Sequence, residues 1–146
     1  MDCMFTVDRL AVHKIRILLS DDHPLVRAQL AVRLTREADF ELVGVAATSR
    51  ETWQVLAFVQ PHVLLMDPLM RDGLGLATLR QVHARFPGLG IVVLTVYVDT
   101  ALNMHFQGMG IQHILTKGIA SSELIAELRA AYTFGFSAAS SNERET

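Results

Sequence analysis

Short apolar runs alternate with helix-period segments along most of this 146-residue chain. The apolar runs predict strands near residues 15–20, 41–47, 62–67, 90–95 and 112–116. This alternation is typical of βα units around a parallel sheet, because consecutive parallel strands need a crossover helix between them. We therefore expect an α/β fold. The third and fourth strands are almost continuous Val, Leu and Ile, so we expect them at the centre of the sheet.

Five helices are predicted between and after these strands. The first begins after Asp22 or His23 and ends near Ala38, the second has Ser49 as its N-cap and ends before Pro61, and the others cover about 75–86, 99–107 and 122–134. In the first helix Leu25, Leu30 and Leu34 are expected to face the core, and in the second Trp53 and Leu56.

The domain organisation follows from where this pattern starts and stops. Residues 1–14 are interpreted as an N-terminal extension, 15–134 as one folded domain and 135–146 as a polar tail. The single cysteine, Cys3, excludes a disulfide framework or a thiolate metal site.

Charge and hydropathy exclude several classes of protein. Thirteen basic residues stand against fifteen acidic ones, giving a formal charge of -2, and no basic run suggests nucleic-acid binding. The first fourteen residues lack the pattern of a signal peptide, and no apolar stretch reaches the ~20 residues of a membrane span. We expect a soluble, cytoplasmic protein that contacts neither nucleic acid nor membrane.

Polar residues stand at the ends of four predicted strands. Asp21 and Asp22 follow the first strand, Asp67 the third, Thr95 the fourth and Lys117 the fifth. In a parallel sheet, functional groups gather outside the carboxyl ends of the strands, so these side chains are expected to form one site. Taken separately, each has an ordinary interpretation as a turn, a helix cap or a surface residue.

Clustered carboxylates need a cation to offset their repulsion, and Mg²⁺ prefers oxygen ligands while leaving positions open for phosphate. An aspartate beside such an ion, with an ammonium and a hydroxyl in reach, suits formation of an aspartyl phosphate. His23 lies beside the acidic pair and could tune it, but the favoured expectation is that it faces solvent from the first turn of its helix.

Four segments resemble the receiver domain of two-component response regulators. They are residues 17–27 (ILLSDDHPLVR), 63–67 (VLLMD), 91–95 (IVVLT) and 114–117 (ILTK), in an order and spacing that cover roughly residues 15–134. The stretch from Asp21 to Arg27 is most similar to receivers of LuxR-type transcription factors. The resemblance implies a (βα)5 doubly wound, flavodoxin-like sheet with strand order 2-1-3-4-5.

The resemblance also implies roles for individual residues. Asp67 would accept a phosphoryl group from a histidine kinase, with Thr95 and Lys117 contacting that group. Asp21, Asp22, Asp67 and the backbone carbonyl of Leu69 would bind Mg²⁺. Such a domain is a signalling protein and not an enzyme.

The downstream contact is expected to be a protein. Nothing like a helix-turn-helix follows residue 134, so the face formed by the fourth helix, fifth strand and fifth helix is expected to bind a partner or a second copy of the chain.

Two alternatives stay open. The loop after Asp67 is about two residues shorter than is usual in the family, Val96 stands where a small residue is preferred, and Ile114 replaces an aromatic residue. These departures favour a degenerate receiver that acts as a constitutive dimerisation or interaction module. A Mg²⁺-dependent phosphatase with an aspartyl intermediate is the lesser alternative, because such enzymes usually carry an acid where this chain has Leu69.

Overall fold

The computed structural model describes the backbone of residues 13–145 and the side chains of residues 13–133. One sheet contains β1 (Ile15–Ser20), β2 (Phe40–Ala46), β3 (Val63–Met66), β4 (Gly90–Thr95) and β5 (His113–Thr116). All pairings are parallel, and the strands lie in the order β2-β1-β3-β4-β5. The predicted α/β fold and strand order are confirmed.

A helix follows each strand. These are α1 (Pro24–Thr35), α2 (Ser49–Val59), α3 (Gly75–Arg85), α4 (Thr100–Gly108) and α5 (Ser121–Glu145). Buried side chains of α1 and α5 share one apolar cluster, while those of α2, α3 and α4 share another with the opposite faces of the same strands. The sheet is therefore covered by helices on both sides, as a doubly wound fold requires.

The two most apolar strands lie inside the sheet. Every residue of β3 and of β4 is buried, because each strand has a neighbour on either side and helices above and below. The expectation that these strands are central is confirmed.

The apolar face of α1 differs from the expectation at one position. Leu30 and Leu34 are buried, whereas Leu25 is 72% exposed. Leu25 precedes Leu30 by five residues, about 140° away around the helix, so the two cannot share a face. The prediction that Leu25 faces the core is wrong.

Helix α2 starts from a different cap than expected. The Thr48 hydroxyl accepts a hydrogen bond from the Glu51 backbone N–H at 3.0 Å, so Thr48 and not Ser49 is the N-cap. Leu56 is buried as expected, but Trp53 is 40% exposed and rests at the helix edge, its ring centroid 6.2 Å from that of Phe86. The interpretation of Trp53 as a core residue is therefore wrong.

The last helix extends further than the sequence analysis predicted. The backbone of α5 stays helical to Glu145, past the predicted end at residue 134, so the polar tail expected at 135–146 is helical over most of its length. That stretch contains Ala138 and Ala139, and alanine has the highest intrinsic helix propensity.

Apart from residues 13 and 14, the predicted N-terminal extension lies outside the described residues, and so does Cys3. Among the helices described, none combines the length and the apolar character needed to cross a bilayer.

Candidate functional site

The carboxyl ends of the strands bring the polar residues together. The sheet hydrogen bonding continues one residue beyond β1, β3 and β5: the backbone N–H groups of Asp21, Asp67 and Lys117 donate to carbonyls of neighbouring strands at 3.1, 3.0 and 2.7 Å. Each side chain is thus held by a backbone that is part of the sheet. Thr95 is the last residue of β4 and is fully buried beside them.

Lys117 joins two of the carboxylates. Its Nζ donates to Asp67 Oδ2 at 2.7 Å and lies 2.8 Å from Asp21 Oδ2. Asp21 and Asp67 are 1% and 2% exposed, and a buried carboxylate without a nearby cation is costly, so the ammonium of Lys117 stabilises this arrangement.

The electrostatics of this pair follow from burial and hydrogen bonding together. Burial alone raises the pKa of Asp21, but hydrogen bonds from Lys117 and His23 outweigh it and hold the pKa below its ordinary value. Burial likewise lowers the pKa of Lys117, and the hydrogen bonds to Asp21 and Asp67 outweigh it and raise the pKa. The site is therefore an ion pair at neutral pH.

His23 lies against this site, which the sequence analysis gave as its less favoured interpretation. Its Nδ1 lies 2.9 Å from Asp21 Oδ1, 3.1 Å from Asp22 Oδ1 and 3.8 Å from Asp67 Oδ2. Its backbone N–H also donates to Asp21 Oδ1 at 2.9 Å, a local turn that aims the ring at the carboxylates. The ring contacts the carboxylates while 38% of the side chain stays exposed, so the less favoured interpretation, that His23 tunes the acidic pair, fits the structure better.

The short loop after β3 contacts two of the carboxylates through its backbone. The Leu69 N–H donates to Asp67 Oδ1 at 2.8 Å, and the Arg71 N–H donates to Asp22 Oδ2 at 2.7 Å. These backbone bonds hold the loop against the site, and the exposed Arg71 side chain adds a longer ion pair, with its Nε 3.9 Å from Asp22 Oδ2.

Asp72 anchors the other end of that loop. Its carboxylate accepts hydrogen bonds from the backbone N–H of Ser49 at 2.8 Å, the Ser49 hydroxyl at 3.0 Å and the backbone N–H of Leu74 at 2.9 Å. Burial raises the pKa of Asp72, but these bonds outweigh it and lower the pKa. Sequence reasoning missed this residue, because Ser49 is distant in sequence and no local pattern joins the two.

Thr95 stands apart from the hydrogen-bonded network. It is fully buried, and within the described part of the chain its Oγ1 has no hydrogen-bond partner. A buried hydroxyl without a partner costs roughly 1–3 kcal/mol, so such a group is typical of a position that a ligand completes.

The donor set fits a hard divalent cation. Asp21, Asp22, His23 and Asp67 each offer one ligand atom, and these atoms all lie within 4.8 Å of one another. Asp22 Oδ1 is buried and accepts no hydrogen bond, since the geometry of the nearby His23 nitrogen is not that of a donor to it. Three carboxylates suit Mg²⁺, which prefers oxygen ligands, and Asp22 Oδ1 is available to bind it without losing a hydrogen bond. Ligation by the Leu69 carbonyl stays a prediction.

Comparison with known proteins gives the same picture over most of the chain. Residues 17–129 match the family model described as the response regulator receiver domain. The oxygen regulatory protein NreC of Staphylococcus carnosus is 32% identical over 118 residues, which are 80% of this chain and 54% of NreC. The chain thus spans about half the length of the curated relatives it matches.

Two solved structures are similar in fold. The non-phosphorylated receiver domain of the stress response regulator RcsB from Escherichia coli is 27% identical, with a TM-score of 0.73 over 80% of this chain and 92% of that one. A LuxR-family two-component response regulator from Aurantimonas sp. has a TM-score of 0.77 at 23% identity, over 82% of this chain and 86% of that one. At that identity the second likeness concerns the fold alone.

Proposed function

The chain belongs to the response regulator receiver domain family of two-component systems, and from this premise we propose that a histidine kinase phosphorylates it on Asp67 in the presence of Mg²⁺. As a member of that family it is a signalling protein. Its expected cytoplasmic location and the domain limits of 15–134 stay predictions.

The observation that carries this proposal is the setting of the Asp67 carboxylate. Asp67 is 2% exposed, and Lys117 Nζ lies 2.7 Å from its Oδ2. The partnerless hydroxyl of Thr95 is buried at the end of the adjacent strand. An acid at this place, with a cation fixed on it and an unused hydrogen-bond donor nearby, is suited to receive a phosphoryl group.

The transfer balances with the groups at hand. An oxygen of Asp67 attacks phosphorus and forms the new O–P bond, while the P–N bond of a phosphohistidine that carries a proton on its other ring nitrogen breaks. The electron pair of that bond stays with the imidazole, which leaves as the neutral ring. Lys117 neutralises charge on the transferred oxygens, and the Thr95 hydroxyl donates to one of them. When bound, Mg²⁺ supplies further neutralisation of phosphate charge, and Asp21, Asp22 and Asp67 would hold it.

The response is expected on the face formed by α4, β5 and α5. Thr95 precedes the loop of Val96 and Tyr97, which are 70% and 58% exposed, and Met104 of α4 is 64% exposed on the same side of the sheet. A hydrogen bond from Thr95 to the phosphoryl group shifts this loop and so the surface offered to a partner or to a second copy of the chain.

Acetyl phosphate tests the acceptor directly. With Mg²⁺ present, the intact mass should rise by one phosphoryl group, and a chelator should abolish the rise. Asp67→Asn should stay unmodified, whereas Asp39→Asn, which changes an exposed carboxylate at the other end of the sheet, should be modified like the parent. An adduct on Asp67→Asn would refute Asp67 as the acceptor.

A degenerate receiver is the second candidate, and it is favoured because both carboxylate oxygens of Asp67 already accept hydrogen bonds. Asp67 Oδ1 accepts from the Leu69 N–H, Oδ2 accepts from Lys117, and His23 adds a third nitrogen to the cluster. Such a self-satisfied site could serve a constitutive interaction module. Light scattering that gives the same oligomeric state and partner affinity with and without phosphodonor would select this candidate.

Turnover of a generic phosphate ester would revive the phosphatase alternative.

A further inference from the structure

A cavity lies at the amino ends of the strands, opposite the carboxylate cluster. Its volume is about 590 Å³, and it is bounded by the last turns of α2 and α3 and by Tyr132 of α5. His62 forms its inner edge and is tied to the sheet: its N–H donates to the Arg16 carbonyl at 2.8 Å, and its carbonyl accepts from Gly90 at 3.0 Å. The proposed phosphorylation does not use this end of the molecule.

The walls of the cavity are mostly apolar. Leu56, Ala57, Phe86 and Leu89 line it, and Leu56 is only 2% exposed. Trp53 extends the same apolar surface outward through its contact with Phe86. Cavities of ~300–1,000 Å³ with apolar walls and few polar groups are typical of small-molecule sites.

The charge in the cavity is positive and unmatched. Arg85 is the charged residue of the lining, and no carboxylate is among the described residues that surround it. Within residues 13–133 no acidic side chain pairs with Arg85, whose guanidinium lies 6.0 Å from the centroid of the Phe86 ring. An apolar cavity with a free guanidinium favours a ligand that carries one negative charge.

The remaining polar groups suit orientation of such a ligand. The Tyr132 ring lies against His62 with centroids 4.8 Å apart and ring planes tilted by 56°, and among the described residues its hydroxyl has no hydrogen-bond partner. Gln60 ends α2 in the left-handed region at φ 45°, an uncommon conformation for a residue other than glycine. Pro61 and Pro87 fix the backbone on either side of the opening, so the cavity is formed before a ligand arrives.

We propose that this cavity binds a small amphipathic anion, an aromatic carboxylate or sulfonate. Its ring lies between Leu56 and Phe86, and its acid group pairs with Arg85 and accepts a hydrogen bond from Tyr132. The proposal is independent of phosphorylation at Asp67.

A second copy of the chain is a less suitable occupant. In a two-fold contact centred on the cavity, Arg85 of one copy would meet the same residue of the other, and the described lining offers no carboxylate to separate them. Like charges placed together at an interface oppose association.

Two fluorescent probes test the proposal on the full chain. Anilinonaphthalene sulfonate carries the aromatic rings and one negative charge, and phenylnaphthylamine has the same rings without the charge. The sulfonate should bind saturably with one site per chain. Arg85→Gln should weaken its binding about tenfold, the size expected for one charge-assisted hydrogen bond, and leave the uncharged probe nearly unaffected.

Matched variants separate the cavity from general surface charge. Arg80→Gln removes an exposed guanidinium from the same helix outside the cavity and should leave both affinities unchanged. Ala57→Trp fills the cavity and should abolish binding of both probes. A cooperative urea-unfolding transition must be kept in each case, because partly unfolded chains also bind the sulfonate.

Several results would overturn the proposal. These are absence of saturable sulfonate binding by the folded parent chain, an equal loss in Arg80→Gln and Arg85→Gln, and unchanged binding in Ala57→Trp. A concentration-dependent dimer seen by light scattering and lost in Ala57→Trp would instead assign the cavity to a second copy.

Discussion

The two ends of the sheet are built from the same strands and treat charge in opposite ways. At the carboxyl end, three carboxylates, an ammonium and an imidazole lie within a few ångströms of one another, and Lys117 pairs with two of the carboxylates. At the amino end, an apolar cavity holds one guanidinium that no carboxylate of the described residues approaches. At the carboxyl end the ammonium of Lys117 pairs with carboxylates, whereas at the amino end Arg85 has no acidic partner among the described residues.

Helix polarity explains the sign at each end. Every crossover helix begins above the carboxyl ends of the strands and finishes at the amino ends, so partial positive charge faces one end and partial negative charge the other. Asp21 and Asp22 stand just before α1, while Arg85 is the last residue of α3. The fold therefore favours acidic side chains above the sheet and basic side chains such as Arg85 below it, so an anion in the cavity must bind through Arg85 and against the partial charge of the helix ends.

The largest loss of stability is expected from substituting Lys117, which pairs with two carboxylates at the carboxyl end of the sheet. Lys117→Met leaves the carboxylates of Asp21 and Asp67 buried without their ammonium, which should lower the free energy of unfolding by about 3 kcal/mol without divalent cation. Urea unfolding at neutral pH measures the loss. Arg85→Met, at the other end, should change it by less than about 0.5 kcal/mol because no ion pair is removed.

The control for Lys117 is the other lysine of the chain. Lys14→Met changes an exposed side chain and should be nearly neutral. Equal losses in all three variants would mean that the carboxyl end is not held together by its charges.

The next largest loss of stability is expected at two glycines where the backbone is closely approached, one at each end of the sheet. A Cβ at Gly75 would lie 2.0 Å from the Pro68 carbonyl oxygen, and one at Gly90 would lie 2.6 Å from that of Ala131. Gly75→Ala should cost about 3 kcal/mol and Gly90→Ala somewhat less, because backbone must move in each case. Thermal and urea unfolding measure both.

Gly108 provides the matched control for these two glycines. Its Cβ would meet no atom within 4 Å, and the residue ends α4. Gly108→Ala should be neutral or slightly stabilising. A neutral Gly75→Ala would show that the loop after Asp67 is free to move away from α3.

A smaller loss is expected at Asp72, which joins the loop to α2. Asp72→Ala removes the acceptor for the Ser49 and Leu74 N–H groups and should cost about 1–2 kcal/mol, as for a lost helix cap. Glu41→Ala, at an exposed position of β2, is the control. Reaction with acetyl phosphate should also slow, because the loop contacts Asp67 and Asp22. Unchanged stability and unchanged rate would contradict this role.

The smallest effect is a pH dependence at the amino end. Burial, and then the charge of Arg16, lower the pKa of His62, whose Nδ1 accepts a hydrogen bond from the Arg16 N–H at 3.0 Å. A lowered folded-state pKa means that the stabilisation is complete above the unfolded value of about 6.5 and is lost as the pH falls through the folded value. Urea unfolding of the parent and of His62→Gln should therefore converge toward acid pH.

His105→Gln controls for histidine titration in general, because His105 is exposed on α4. A difference between parent and His62→Gln that stays constant from about pH 8 to about pH 5, across the ordinary histidine pKa, would refute the assignment.

Most of the fold could be predicted because its pattern is local. The strands and the starts of the helices follow from apolar runs and turn residues, and the burial of β3 and β4 follows from their composition. The burial of Leu25 and Trp53 was predicted wrongly, because an apolar residue type does not determine which side of its helix packs against the sheet. Thr48 was missed as a cap because Ser49 is an equally good candidate by residue type.

The candidate site divides in the same way. Asp21, Asp22, Asp67, Thr95 and Lys117 were found because each terminates an apolar run, and parallel strands bring such ends together. His23 was given only as a less favoured neighbour of the acidic pair, because its role depends on where the ring turns. Asp72 was missed because its partner Ser49 is far along the chain. Both act through geometry that residue type alone does not encode.

The sequence by itself determined the parallel sheet, its order by resemblance, and the five polar residues at its carboxyl edge, since each depends on periodicity and chain position. Only the tertiary structure decided that His23 joins the carboxylates and that Asp72 ties the loop to α2. It also decided that a cavity lies at the opposite edge, where Arg85 pairs with no acidic side chain of the described residues. The reason is physical: a distance of three ångströms between groups far apart in sequence is set by packing, and packing is a property of the whole chain.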